Sequence, residues 1–123
     1  PVLLPGTTFF LGMDRGAPAR LIIEKGLPVA LATDCNPGSS MTESMQIIMT
    51  LACLEYKMTP GEALAASTLN AAFAIDKGSE IGSLAPGKYA DIVVWEAEDY
   101  REIPYHFGGN LTYSVYKKGV RVR

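Results

Sequence analysis

The chain has 123 residues, of which 48% are hydrophobic and 20% charged, enough for a true core and typical of a globular protein, not a disordered or fibrous one. A formal charge of −2 gives no basic footprint, so neither nucleic acid nor an anionic membrane is expected as a partner. Two cysteines, Cys35 and Cys53, are too few for a disulfide framework or a metal motif, no apolar run approaches the ~20 residues that span a bilayer, and the expected compartment is the cytoplasm.

The chain opens directly on Pro1-Val2-Leu3-Leu4-Pro5, without a polar lead-in, and an internal start is the natural expectation. Val2 to Leu4 reads as a short strand that stops at Pro5-Gly6. The polar pair Thr7-Thr8 leads into Phe9-Phe10-Leu11, and Gly12 to Pro18 reads as a loop. From Ala17 to Lys25 the apolar positions Ala19, Leu21, Ile22 and Ile23 predict a short helix, with Pro18 in its first turn and Gly26 ending it. A strand from Leu27 follows, which makes a βαβ unit with an expected right-handed crossover.

Leu27 to Thr33 is apolar without alternation, as suits a strand covered on both faces in a parallel sheet. It breaks into Asp34, Asn36, Pro37, Gly38, Ser39 and Ser40. Asp34 therefore falls at the carboxyl end of a strand, where open α/β sheets and (β/α)8 barrels place their ligands and chemistry. A carboxylate there suits metal ligation, general-base work or capping of the next helix, and an Asx-type turn at Asp34 and Asn36 is the plain structural reading.

Met41 to Lys57 carries the strongest helical pattern, with Met45, Ile48, Met49, Ala52, Cys53 and Tyr56 in one apolar stripe. Ser39 or Ser40 is the expected cap, Thr42-Glu43 the first turn, and the methionines are read as adaptable core packing. Thr59-Pro60-Gly61-Glu62 has the form of a capping box and opens a predicted Ala-rich helix to Ile75. Composition shifts at Asp76-Lys77-Gly78-Ser79, after which Ile81 to Trp95 reads as turn, hairpin and strand. Glu96 to Tyr100 is an acidic exposed connection and Ile103 to Asn110 a loop or turn. Leu111 to Arg123 forms a hairpin around Lys118-Gly119, with Lys117, Lys118, Arg121 and Arg123 on a solvated face. The single histidine, His106, is read as a structural hydrogen-bonding residue.

Ala-Thr-Asp-Cys-Asn-Pro-Gly-Ser-Ser at 32–40, followed by Met-Thr-Glu-Ser-Met, resembles the last barrel strand and loop of the imidazolonepropionase family within the amidohydrolase superfamily. Leu3-Leu4-Pro5-Gly6-Thr7-Thr8-Phe9-Phe10-Leu11, Ile103-Pro104-Tyr105-His106-Phe107-Gly108 and Val115-Tyr116-Lys117-Lys118-Gly119 extend the likeness over nearly the whole chain. Gly82-Ser83-Leu84-Ala85-Pro86-Gly87-Lys88-Tyr89-Ala90-Asp91-Ile92-Val93 resembles the return strand of the small β-sandwich domain of many amidohydrolases.

The resemblance implies an α/β fold: the last two β/α units of a metal-dependent-hydrolase (β/α)8 barrel in 1–77, and the carboxy-terminal part of a small β-sandwich domain in 78–123. The implied reaction is metal-assisted hydrolysis of 4-imidazolone-5-propanoate to N-formimidoyl-L-glutamate in histidine degradation. By the same resemblance Asp34 is both metal ligand and acid/base group, and Asn36, Gly38 and Ser39 contact the small-molecule substrate. A Gly-Ser turn at a helix N-terminus would suit its anionic end. The implied cofactor is one divalent metal, zinc or iron, whose other ligands in the family are histidines upstream of Pro1. The chain alone is therefore expected to be inactive, to need the missing N-terminal barrel segment and to form homo-oligomers. The alternatives are another superfamily member, such as a deaminase acting on a cyclic amidine, or a non-catalytic scaffold built on the same fold.

Overall fold

In the computed structural model, which describes residues 1–123, two short parallel strands organise the first half of the chain: β1 (Val2–Leu3) and β2 (Ala30–Leu31). Val2 lies opposite Ala30 and Leu3 opposite Leu31, and Ala30 N–H and Ala32 N–H donate to the Pro1 and Leu3 carbonyls at 2.9 and 3.2 Å. Only two residues of the expected strand enter the ladder, because the one strand beside it is itself two residues long. Val29, Ala30 and Leu31 are nevertheless buried, as a two-sided cover requires.

Between them lie α1 (Pro5–Phe10) and α2 (Ala19–Glu24). Pro5 ends the strand as expected and also opens a helix where none is predicted. Proline suits the first helical position because its absent N–H would be unpaired there anyway. Gly26 ends the turn after α2 with φ +73°.

Helix α3 (Met45–Glu55) begins four residues later than expected, capped by Ser44, whose Oγ accepts from Ile47 N–H at 3.3 Å. Ser39 and Ser40 do not cap it: Ser40 Oγ donates to the Thr33 carbonyl and Ser39 closes the preceding turn. The apolar stripe holds, with Ile48, Met49, Ala52 and Tyr56 in the core and Met45 and Cys53 packed against it.

The capping box is present: Thr59 Oγ1 accepts from Glu62 N–H and Glu62 Oε2 from Thr59 N–H. The helix it opens does not run unbroken to Ile75. It divides at Thr68 (φ −124°, ψ −88°) into α4 (Pro60–Ser67) and α5 (Leu69–Ala74). Ser67 and Thr68 both donate back to carbonyls four residues earlier, a competition that weakens a helix at that point. Ala52, Ala63 and Ala66 are fully buried and allow α3 and α4 to approach closely over Leu3, Val29 and Leu31.

A separate antiparallel sheet, in the order β3-β4-β5, comprises β3 (Ile92–Trp95), β4 (Thr112–Lys117) and β5 (Val120–Arg121). No hairpin forms within 81–95, since β3 pairs instead with β4, while 76–91 is a series of turns. The β4–β5 hairpin turns at Lys118 (φ +50°) and Gly119 (φ +80°), left-handed values that fit the strands' twist. The loop expected at 103–110 contains a short helix, α6 (Glu102–Tyr105), held to α3 by Thr50 Oγ1 donating to the Pro104 carbonyl at 2.7 Å. His106 is exposed. Its ring meets Tyr105 edge-on, and its backbone carbonyl, not its imidazole, accepts from Gln46 Nε2. No helix is long and apolar enough to cross a membrane.

Candidate active-site loop

Parallel strands end on the same side of their sheet, so the residues that follow Leu3 and Leu31 are brought together. Asp34 stands three residues beyond Leu31, exposed, with φ +49°. Thr7, four residues beyond Leu3, donates from Oγ1 to Asp34 Oδ2 at 2.8 Å. The other carboxylate oxygen, Oδ1, accepts from no protein donor. Asp is among the few non-glycine residues that tolerate a left-handed backbone.

Asn36 builds the loop around that carboxylate. Its Nδ2 donates to the Asp34 carbonyl at 2.6 Å and to Ser39 Oγ at 3.0 Å, while its Oδ1 accepts from Gly38 N–H and Ser39 N–H, both at 2.9 Å. Backbone bonds between Asn36 and Ser40 close the turn, and Ser40 Oγ donates to Thr33 at 2.7 Å. The loop thus gathers Asp34, Asn36, Gly38 and Ser39. The Asx-type turn belongs to Asn36, and the Asp34 side chain stays outside it.

One part of the anion-cradle expectation is corrected. Gly38 and Ser39 do not stand at a helix N-terminus, because α3 begins only at Met45, and their N–H groups are turned inward to the Asn36 amide oxygen.

Two contributors escaped the sequence reading. Thr7 depends on the β1–β2 register, which no local motif encodes. Asn70, within the predicted Ala-rich helix, donates from Nδ2 to the Val29 carbonyl at 2.8 Å and ties α5 to the strand that carries Asp34. The one local signal was at Asn70, a polar side chain in the apolar run Leu69-Asn70-Ala71-Ala72.

No three His, Cys, Asp or Glu residues stand close enough to hold a metal ion, and the single histidine lies at the end of α6. These residues offer one carboxylate and do not by themselves hold a metal. Away from the loop, the Arg20 guanidinium grips Glu62 and, with help from Thr59, holds its carboxyl down to about 2. Burial raises the Cys53 thiol. A cavity of about 1070 Å³ between α3 to α5 and the β3–β4 sheet contains no residue of the Asp34 loop.

The model of the amidohydrolase family matches residues 11–122. A relative from Geobacillus thermodenitrificans (strain NG80-2), named imidazolonepropionase, is 58% identical over 118 residues, covering 96% of this chain and 28% of its own. One of the same name from Alkaliphilus oremlandii (strain OhILAs) is 56% identical, covering 97% and 28%. The chain thus spans less than a third of the length of these curated relatives. Among solved structures, an adenosine deaminase from Xanthomonas campestris with bound zinc superposes with a TM-score of 0.83 at 22% identity, over 98% of this chain and 31% of its own. Escherichia coli guanine deaminase gives 0.78, also at 22% identity, over 98% and 32%. At that identity the likeness is one of fold.

Proposed function

The chain belongs to the amidohydrolase family, and we propose that it is part of an imidazolonepropionase, which opens the cyclic amide of 4-imidazolone-5-propanoate to N-formimidoyl-L-glutamate in histidine degradation. The observation that carries the reading is an identity of 47–58% to relatives of that name over at least 95% of this chain. The deaminases share the fold at 22% identity or less in the examples of guanine, adenosine and 5-methylcytosine deaminase, so a deaminase reading has weaker support.

In this reading residues 1–77 contribute the last two β/α units of a (β/α)8 barrel and 78–123 part of a small β-sandwich domain. The parallel β1–β2 pair under helices and the separate antiparallel sheet support that division. Hydrolysis adds water to the ring carbonyl carbon, breaks its bond to nitrogen and moves a proton from the water to the departing nitrogen. Asp34 is the group proposed to carry that proton: its carboxylate is exposed at the strand's carboxyl end, with Oδ1 not engaged. Asn36, Gly38 and Ser39 form the proposed substrate-facing wall. A substrate carboxylate reaches the Gly38 and Ser39 N–H groups by replacing the Asn36 amide oxygen. The divalent metal, zinc or iron, has one candidate ligand here, Asp34, and the remaining ligands are proposed to lie outside these 123 residues.

The test is a chimera in which this sequence replaces the matching stretch of the Geobacillus thermodenitrificans protein. It is expected to hydrolyse 4-imidazolone-5-propanoate, and Asp34→Asn to lower kcat by roughly 10²- to 10⁴-fold. A chimera with native circular dichroism and no hydrolysis would overturn the proposal.

A further inference from the structure

We infer that Thr7 is a positioning residue for Asp34: its hydroxyl fixes the carboxylate through Oδ2 and leaves Oδ1 for the reacting groups. The inference rests on the reading of Asp34 given above, and it starts from a difference between two adjacent threonines. Threonine in a helix can turn its hydroxyl back to the carbonyl four residues earlier. Thr8 does so, with Oγ1 3.3 Å from the Leu4 carbonyl and 2.8 Å from the Tyr56 hydroxyl. For Thr7 the corresponding residue is Leu3, which belongs to strand β1 and not to the helix, and its carbonyl is turned to Ala32 N–H in the β1–β2 ladder. Its hydroxyl goes across to the carboxylate instead.

Everything else about Asp34 is braced through the backbone. Asn36 Nδ2 holds the Asp34 carbonyl, Ser40 Oγ holds the carbonyl of Thr33, and the Asn36–Ser40 bridge closes the loop. Those bonds set φ and ψ but leave the carboxylate's own torsions free, and Thr7 donates the one hydrogen bond that the carboxylate receives. The donor is well placed to do so. A β-branched side chain is stiff at χ1, and the turn carrying Thr7 is pressed against the loop's base. At Gly6, a Cβ would meet Ser40 Oγ at 2.8 Å and Ile48 Cδ1 at 2.9 Å, so the approach depends on glycine. A hydrogen bond to an ionised carboxylate is stronger than a neutral one and directional enough to select one rotamer.

The test compares Thr7→Val, which keeps the shape and removes the donor, with Thr7→Ser, which keeps the donor, in the chimera described above. Thr7→Val is expected to lower kcat about tenfold to a hundredfold while KM stays within about threefold, and Thr7→Ser to recover most of that rate. Crystal structures of the two variants supply a readout independent of turnover: the Asp34 carboxylate leaves its position in Thr7→Val and keeps it in Thr7→Ser. An unchanged kcat in Thr7→Val, equal losses in both variants, or a carboxylate unmoved without the hydroxyl would each overturn the inference. Should the chimera show no hydrolysis, or Asp34→Asn retain it, the functional reading fails, and the carboxylate's position alone decides the role of Thr7.

Discussion

Gly16 lies so close to Tyr56 that a Cβ there would overlap ring atom Cε1 and stand 2.8 Å from Cδ1. The ring cannot give way, because Tyr56 is 4% exposed and its hydroxyl is bonded to Thr8. Gly16→Ala is therefore expected to destabilise the chain by about 1–3 kcal/mol through overpacking, seen as a lower urea midpoint with an unchanged slope. An unchanged midpoint would show that the 12–18 loop moves aside without cost. Nothing local distinguishes Gly16 from Gly12, which has no atom near its own absent Cβ. Both read as loop glycines, and only the fold reveals which one faces a buried ring. Asp34 is the opposite case. An abrupt change from an apolar run to a polar loop places it at a strand end, so its position was legible, whereas its partner Thr7 was not.

At the scale of elements, short-range signals translate directly. The Thr59–Glu62 box needs only four consecutive residues, and the stripe from Met45 to Tyr56 needs only helical spacing, so both were readable. The start of α3 was not, because Ser39, Ser40 and Ser44 are all chemically able caps, and the loop's demand on the first two leaves the third. The division at Thr68 and the short helix α6 likewise depend on contacts with distant elements. The capping box also carries a long-range load: Arg20 of α2 donates to both Glu62 oxygens, at 2.9 and 2.7 Å. The folded carboxyl is held to about 2 against an ordinary 4.5, first by the Arg20 hydrogen bond. A carboxyl lowered on folding contributes its full stabilisation above pH 4.5 and loses it as the pH falls toward 2. Glu62→Gln keeps an oxygen for Thr59 N–H but removes the ion pair. It is expected to cost roughly 0.5–1 kcal/mol at neutral pH, a modest value because the pair is partly solvated. Thermal melts of both proteins should converge between pH 4.5 and 2, and parallel curves over that window would refute the assignment.

The whole molecule exposes more surface than a self-sufficient fold of its size. Its accessible area is 7825 Å² for 13.2 kDa, whereas a folded monomer of that mass exposes about 6400 Å². The excess of roughly 1400 Å² exceeds the ~800 Å² that one partner gives to a standard interface. Exposed apolar side chains are clustered: Phe9, Phe10, Met41, Leu54 and Phe107 surround a groove of about 410 Å³. The two-stranded β1–β2 sheet has no further strand on either side, and unpaired edges add to the tendency to associate. The 123 residues alone are therefore expected to self-associate, with a light-scattering mass that starts above 13.2 kDa and rises with concentration in the micromolar range. The double substitution Phe9→Glu and Phe10→Glu should shift that mass downward without altering the far-ultraviolet circular dichroism, because both side chains are already outside the core. A constant monomer mass for the unsubstituted chain would mean that its apolar groove and strand edges are tolerated in water. The sheet would then need no neighbouring barrel units to cover it, and the proposed placement of residues 1–77 within a larger barrel would lose its main physical support.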